Sequence, residues 1–287
     1  MTAPLAPLHT AHLFEPLHDA LIQLLRGLTD DDWIRPTVAG QWRVRDVAAH
    51  LLDGQLRTLS ALRDGHFAPP DGPLEGYDDL VRFLDRLNAG WIEASQRLSP
   101  RVIIELLAAV GPEVAATFSA LPPHGPALFP VAWAGEDTSE NWMHVGREYT
   151  EWWHHQMQIR DAVGAPGLFE PEWFQPLLDL SVRVLPHAYC DVEAKPGTSL
   201  VLEVDGPGGG TWSLVRDDAT WAMHAGASPT PDATIVLDPD TAWKTLYHAL
   251  DPNQARARAR IEGEASLAAP FFRARSAMVP KVSKDVE

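Results

Sequence analysis

The hydrophobic period of this chain changes once, near residue 165, and that change calls for two different architectures. Before it, apolar residues recur every three or four positions, the spacing of helices that bury one face. Helices are expected over 13–28, 44–62, 77–98, 100–121 and 139–163. Val44, Val47, Ala48, Leu51, Leu59 and Leu62 share one face of the second, Ser99 caps Pro100 at the start of the fourth, and Gly164 closes the last. Pro/Gly-rich loops at 68–73 and 122–126 separate them. Four or five helices joined by short connections suggest an all-α, antiparallel bundle over residues 1–165. Beyond the 164–167 turn a helix is expected near 172–188. It precedes short β-branched and aromatic runs at 199–204, 211–215, 220–223 and 233–237, the first two joined by a glycine-rich hairpin loop at 206–210. Helices at 239–249 and 265–276 and a frayed tail from Pro280 complete an α+β domain over 166–287.

Charge narrows the function. The chain of 287 residues carries a net −16, and both parts are acidic, with 12 basic against 22 acidic residues before position 166 and 11 against 17 after it. Nucleic acid and anionic membrane surfaces need a basic face, so neither is an expected partner. No run approaches the about 18 apolar residues of a membrane span, and the first 25 residues lack the Lys or Arg of a signal-peptide n-region. The single cysteine, Cys190, excludes an internal disulfide and multi-cysteine zinc sites, and is read as a small buried side chain. A reducing, cytoplasmic setting follows, and 19 Arg against 4 Lys points to a GC-rich bacterial genome.

The helix over 139–163 holds the most informative pattern. His144, Glu148, Glu151, His155 and Gln158 fall in a stripe about 80° wide, beside an apolar sector of Trp142, Val145, Tyr149, Trp152 and Ile159. Glu151 and His155, four residues apart, can share one divalent cation, although such pairs are commonly solvated neighbours. A third ligand must come from elsewhere. His50 is the candidate, while its place beside Asp46, Asp53 and Gly54 on the helix also suits a surface histidine. The histidines at 9, 12, 18, 66, 124, 187, 224 and 248 have no spacing partner that suggests ligation. The 11 tryptophans are read as core, and Arg256, Arg258 and Arg260, alternating with alanine, as a solvated surface.

The stretch Asp32-Trp33-Ile-Arg-Pro36-Thr37-Val-Ala-Gly40-Gln-Trp42-Arg-Val44-Arg-Asp46-Val47-Ala-Ala-His50-Leu51 resembles the N-terminal signature of the mycothiol-dependent maleylpyruvate isomerase family. That family belongs to the DinB-like superfamily of metal-binding four-helix bundles. Arg147-x3-Glu151-x3-His155-x2-Gln158-Ile159-x2-Ala162 resembles its second signature, in the same order and at a matching distance. Pro231–Leu237 and Asp240-Thr-Ala-Trp243 are similar to the family's C-terminal domain, of sterol-carrier-protein-like α+β type.

The resemblance implies a divalent metal, typically zinc, on His50, Glu151 and His155, with one position left open for water or a thiol. It also implies a low-molecular-weight thiol cofactor, mycothiol in the family, with bacillithiol or glutathione fitting the same physics. The expected chemistry is metal-activated thiol addition or transfer, isomerase or S-transferase, on a small electrophile, with the α+β domain closing over the site. His144 and Glu148 are candidate catalytic groups near the metal, or residues of a solvated helix start. Gln158 stands where the family often has Asp, an amide in place of a charge. Two other readings stay open: a metal hydrolase with Glu148 as general base, and a module that binds metal or an apolar ligand without catalysis.

Overall fold

The computed structural model describes residues 3–67, 69–70 and 72–279. Parts of the expected 68–73 loop, at residues 68 and 71, and the tail from Pro280 lie outside the described residues.

The helical unit comprises residues 9–129 and 140–167. Its helices are α1 (Phe14–Arg26), α2 (Asp30–Trp33), α3 (Val44–Thr58), α4 (Tyr77–Ser95), α5 (Pro100–Ala120) and α6 (Asn141–Val163). Each starts or stops where local chemistry dictates. Thr29 and Asp32 cap α2 reciprocally, the Ser99 side chain accepts the Val102 amide with Pro100 at the first helical position, and Gly164, at φ +70°, ends α6 in the left-handed conformation. The helix expected over 44–62 instead widens after Thr58 into a turn at Leu59–Arg63, where the Asp64 amide bonds the Leu59 carbonyl five residues back.

Helices α1, α3, α5 and α6 pack around a core of Phe14, Leu17, Leu21, Leu25, Leu52, Phe118, Tyr149 and Trp153, and α4 lies against α3. The bundle is not antiparallel throughout. Phe14 meets Phe118 and His18 meets Gly111, so α1 and α5 run in opposite directions. Phe14 and His18 both meet Trp152, and Arg160 reaches the Ala20 carbonyl, so α1 and α6 run the same way. The connection that makes this possible is long, because residues 130–139 leave the bundle before α6 begins. Among the described residues one helix, α5, is long and apolar enough to cross a membrane by length and composition; it gives Ile103, Leu107, Val114 and Phe118 to the bundle interior.

The second unit comprises residues 3–8, 130–139 and 168–279. Two short segments that the periodicity places with the bundle therefore belong here. One is β1 (Ala3–Pro4), which pairs with β4 (Trp221–Ala225) at the edge of a six-stranded sheet. A two-residue strand has no readable period. The other brings Gly135 against His187, where a Cβ would lie 2.5 Å from the imidazole Nδ1. The remaining strands are β2 (Ser199–Val204), β3 (Gly210–Arg216), β5 (Ala233–Leu237) and β6 (Arg260–Gly263), in the order β1-β4-β3-β2-β5-β6. β2 pairs antiparallel with β3 and parallel with β5, a mixed sheet. The hairpin turns at Gly209, where a Cβ would stand 1.9 Å from the Val204 carbonyl oxygen. Helices α7 (Pro171–Ser181), α8 (Leu185–Ala188), α9 (Pro239–Leu246), α10 (Pro252–Arg258) and α11 (Ala265–Ala268) complete it around Phe174, Tyr189, Trp243 and Phe271. Cys190 is exposed rather than buried, because the turn after α8 directs Tyr189 into the core instead. The fold is a helical bundle plus an α+β unit on a mixed sheet, the class the sequence calls for.

Candidate metal centre

Helix α3 is set at its first turn by Asp46. One carboxylate oxygen accepts the Arg43 amide at 2.9 Å, and the other accepts Gln96 Nε2 at 2.9 Å, which ties α3 to the chain just past α4. Arg45 adds bonds to the carbonyls of Ser95, Gln96 and Leu98 at 3.3–3.4 Å, quenching the open end of α4. His50 stands on this braced helix. Glu151 and His155 stand one turn apart on α6, whose side chains from Trp152 to Ile159 are all buried.

The fold brings the three together. Their ligand atoms lie within 4.8 Å of one another, and among the described residues no other group of His, Cys, Asp and Glu does so. His155 Nε2 is 3.4 Å from Glu151 Oε2. The two imidazoles meet edge to face with centroids 4.6 Å apart. Glu151 keeps 23% of its side-chain exposure and His155 9%, so the cluster is not fully sealed from solvent.

The protonation states suit ligation. Burial, then the charge of His155, holds the His50 imidazole well below its ordinary range, so the ring is neutral at physiological pH. Burial works against the Glu151 carboxylate. The hydrogen bond from His155 and the fields of His154, His155 and Arg147 outweigh it, and Glu151 stays ionised below the usual carboxylate range. His50 Nδ1 is buried without a hydrogen-bond partner, a rare state for a ring nitrogen unless an ion or water completes it. Two imidazoles and one carboxylate, converging and partly orphaned, fit a divalent ion of the zinc type.

Two neighbours escape a sequence reading. The Trp42 ring lies 4.8 Å from His50 and 6.2 Å from His155. It is pinned by a tight turn in which the Trp42 carbonyl accepts both the amide and the hydroxyl of Thr37, at 3.0 and 2.8 Å, with Gly40 at φ +64°. Only the turn's geometry places that ring, so no periodicity signals it. His154 lies with its ring 4.0 Å from that of His155, its Nδ1 on the Thr150 carbonyl at 2.8 Å, and burial pushes its pKa down to about 3. Its position next to a candidate ligand was its only sequence signal.

His144 and Glu148 are not members of the cluster. They flank Arg147, which bonds His144 Nδ1 at 3.2 Å and pairs with the Glu148 carboxylate. Burial, with Arg147 beside it, pushes His144 down to about 3, so it is neutral. None of the other histidines joins the site, and Arg256, Arg258 and Arg260 are exposed.

Residues 14–160 match the family described as the mycothiol maleylpyruvate isomerase N-terminal domain. This span covers half the chain and both helices that bear the cluster. The chain belongs to that family. Two uncharacterized proteins of Mycobacterium tuberculosis, from strains CDC 1551 and H37Rv, are each 25% identical over 261 residues, covering 84% of this chain and 94% of theirs. Two crystal structures of the mycothiol-dependent maleylpyruvate isomerase, one of a histidine-to-alanine mutant, share its fold. The mutant superposes with a TM-score of 0.54 at 12% identity, covering 88% of this chain and 92% of its own. The other gives 0.52 at 13% identity, over 82% and 86%.

Proposed function

We propose that this protein is a metal- and thiol-dependent enzyme that performs isomerase or S-transferase chemistry on a small electrophile. The observation that carries the reading is the convergence of His50, Glu151 and His155, in a member of the maleylpyruvate isomerase family, with Glu151 partly exposed. His50, Glu151 and His155 would hold the ion. When bound, a divalent ion there supplies Lewis acidity that stabilises the thiolate form of a thiol at neutral pH. The cluster contains no cysteine, so the thiol is a small external cofactor, of which mycothiol is the family's and bacillithiol or glutathione are chemical equivalents.

The chain's own residues provide the setting. His50 stays neutral and Glu151 ionised, so neither needs to lose a proton before ligation at pH 7. Trp42 packs beside the imidazole pair, 4.8 Å from the His50 ring and 6.2 Å from the His155 ring. Arg147 supports the Glu151 charge, pairs with Glu148, the proposed proton-transfer group on α6, and bonds His144, which stays neutral.

Cobalt-loaded protein tests the reading. Adding mycothiol or bacillithiol should give a sulfur-to-metal charge-transfer band in the near ultraviolet, and the His155→Ala variant should give none. If no thiol at millimolar concentration perturbs the spectrum while simple esters are hydrolysed, the metal-hydrolase reading replaces this one. If neither occurs, the protein is a binding module.

A further inference from the structure

His155 is held at both ring nitrogens. Nε2 faces Glu151 Oε2 at 3.4 Å, inside the cluster, and Nδ1 faces Gln158 Oε1 at 2.8 Å, on the far side of the ring. Both residues of the second contact are buried; Gln158 is 4% exposed. An amide oxygen only accepts, so Nδ1 carries a hydrogen in every state that keeps this bond, and Nε2 is the nitrogen left to ligate. Free imidazole has no such constraint and populates both tautomers. Gln158 is also neutral. A carboxylate at the same place would accept the same proton, add a negative charge against the ring and raise its basicity. The donor set of two imidazoles and one carboxylate therefore keeps a single negative charge, which leaves a divalent ion on it net positive.

We propose that Gln158 is the positioning residue of this centre: its amide oxygen locks His155 with hydrogen on Nδ1 and Nε2 toward Glu151 and His50, and its neutrality keeps the centre receptive to an anionic ligand. The proposal rests on reading the cluster as a metal site. It goes beyond that reading by assigning separate jobs to the acceptor and to the missing charge.

Two variants separate those jobs. Gln158→Leu keeps the bulk and removes the acceptor; Gln158→Glu keeps the acceptor and adds the charge. Three measurements are made on the full chain. The first is the ring tautomer of His155 in protein carrying nitrogen-15 histidine, assigned by its loss in His155→Ala and read with and without zinc. The second is zinc affinity by competition with a chromophoric chelator. The third is azide affinity of the cobalt-loaded protein from its visible spectrum. Wild type should show a slowly exchanging Nδ1–H with or without zinc. Gln158→Leu should lose that signal and bind zinc about 10–100-fold more weakly. Gln158→Glu should keep the signal, hold zinc at least as tightly as wild type, and bind azide about tenfold more weakly.

Zinc affinity within twofold of wild type together with a retained Nδ1–H in Gln158→Leu overturns the positioning role. Unchanged azide affinity in Gln158→Glu overturns the charge role. Should Gln158→Leu fail to fold, the tautomer of wild type and the paired zinc and azide results of Gln158→Glu still decide both. If wild type binds no zinc, the metal reading fails, while the tautomer in the metal-free protein independently tests the lock.

Discussion

Replacing His144 by Asn tests whether the polar stripe of α6 holds a neutral buried imidazole where the fold requires one. The ring is 3% exposed and faces Arg147 Nη2 at 3.2 Å, with Phe118 edge-on at 6.5 Å between centroids and Glu148 on the far side of Arg147. Burial, reinforced by that guanidinium, lowers its pKa from 6.5 to about 3. The folded state therefore refuses a proton that the unfolded chain accepts below pH 6.5. Between those limits the unfolded state binds more protons, so stability falls as the pH falls, by about 1.4 kcal/mol per pH unit for one group. At pH 5, 1.5 units below the unfolded value, His144 alone costs about 2 kcal/mol relative to pH 8. Asn keeps an oxygen acceptor near the Nδ1 position and cannot titrate. Its smaller size lowers stability by an amount that does not change with pH. Urea unfolding of chelator-treated wild type and His144→Asn at pH 8, 7, 6 and 5 reads the difference. The two free energies should converge by about 2 kcal/mol from pH 8 to pH 5. Parallel curves would refute the argument and mean that His144 titrates in the fold as it does in the unfolded chain.

Purified protein should contain about one transition-metal ion per chain by elemental analysis, and His50→Ala or His155→Ala should remove most of it, because two remaining donors do not close a site. Trp42, 4.8 Å from His50, should be the tryptophan most quenched when cobalt binds; Trp42→Phe should lose the larger part of the metal-dependent change in fluorescence. Gly111→Ala should destabilise the bundle by about 1–3 kcal/mol in thermal or urea unfolding despite the better helix former, since the new Cβ would stand 2.3 Å from two atoms of the buried His18 ring. Adding His18→Ala should remove most of that penalty in a double-mutant cycle. Asp238→Ala should cost about 1 kcal/mol, because its carboxylate accepts the Thr241 amide at 2.9 Å at the start of α9.

The sequence determined by itself what depends on near neighbours along the chain. The period of Val44, Val47, Ala48 and Leu51 makes α3, and the caps at Ser99, Asp238 and Gly164 stop or start helices through bonds spanning three or four residues. β2 and β5 appear where their β-branched runs stand, and Glu151 and His155 face one way because a helix repeats every 3.6 residues. Periodicity had less to say about His50, whose neighbours on the wheel are polar; the family signature around it supplied the expectation, and the packing of α3 on α6 put its ring 4.6 Å from that of His155. Only the tertiary structure decided the rest. It assigned residues 3–8 and 130–139 to the sheet unit, since two-residue strand pairing and the Gly135–His187 approach leave no local pattern. It set α1 and α6 in the same direction, which depends on how far a connection travels and not on helix period. It set the Trp42 ring beside the imidazoles of α3 and α6, whereas the Gln158 contact on His155 Nδ1 is a local one between residues three apart on α6. Donor types are written locally in the residues. Their convergence and burial depend on contacts between residues about a hundred positions apart, and only the packed chain supplies those.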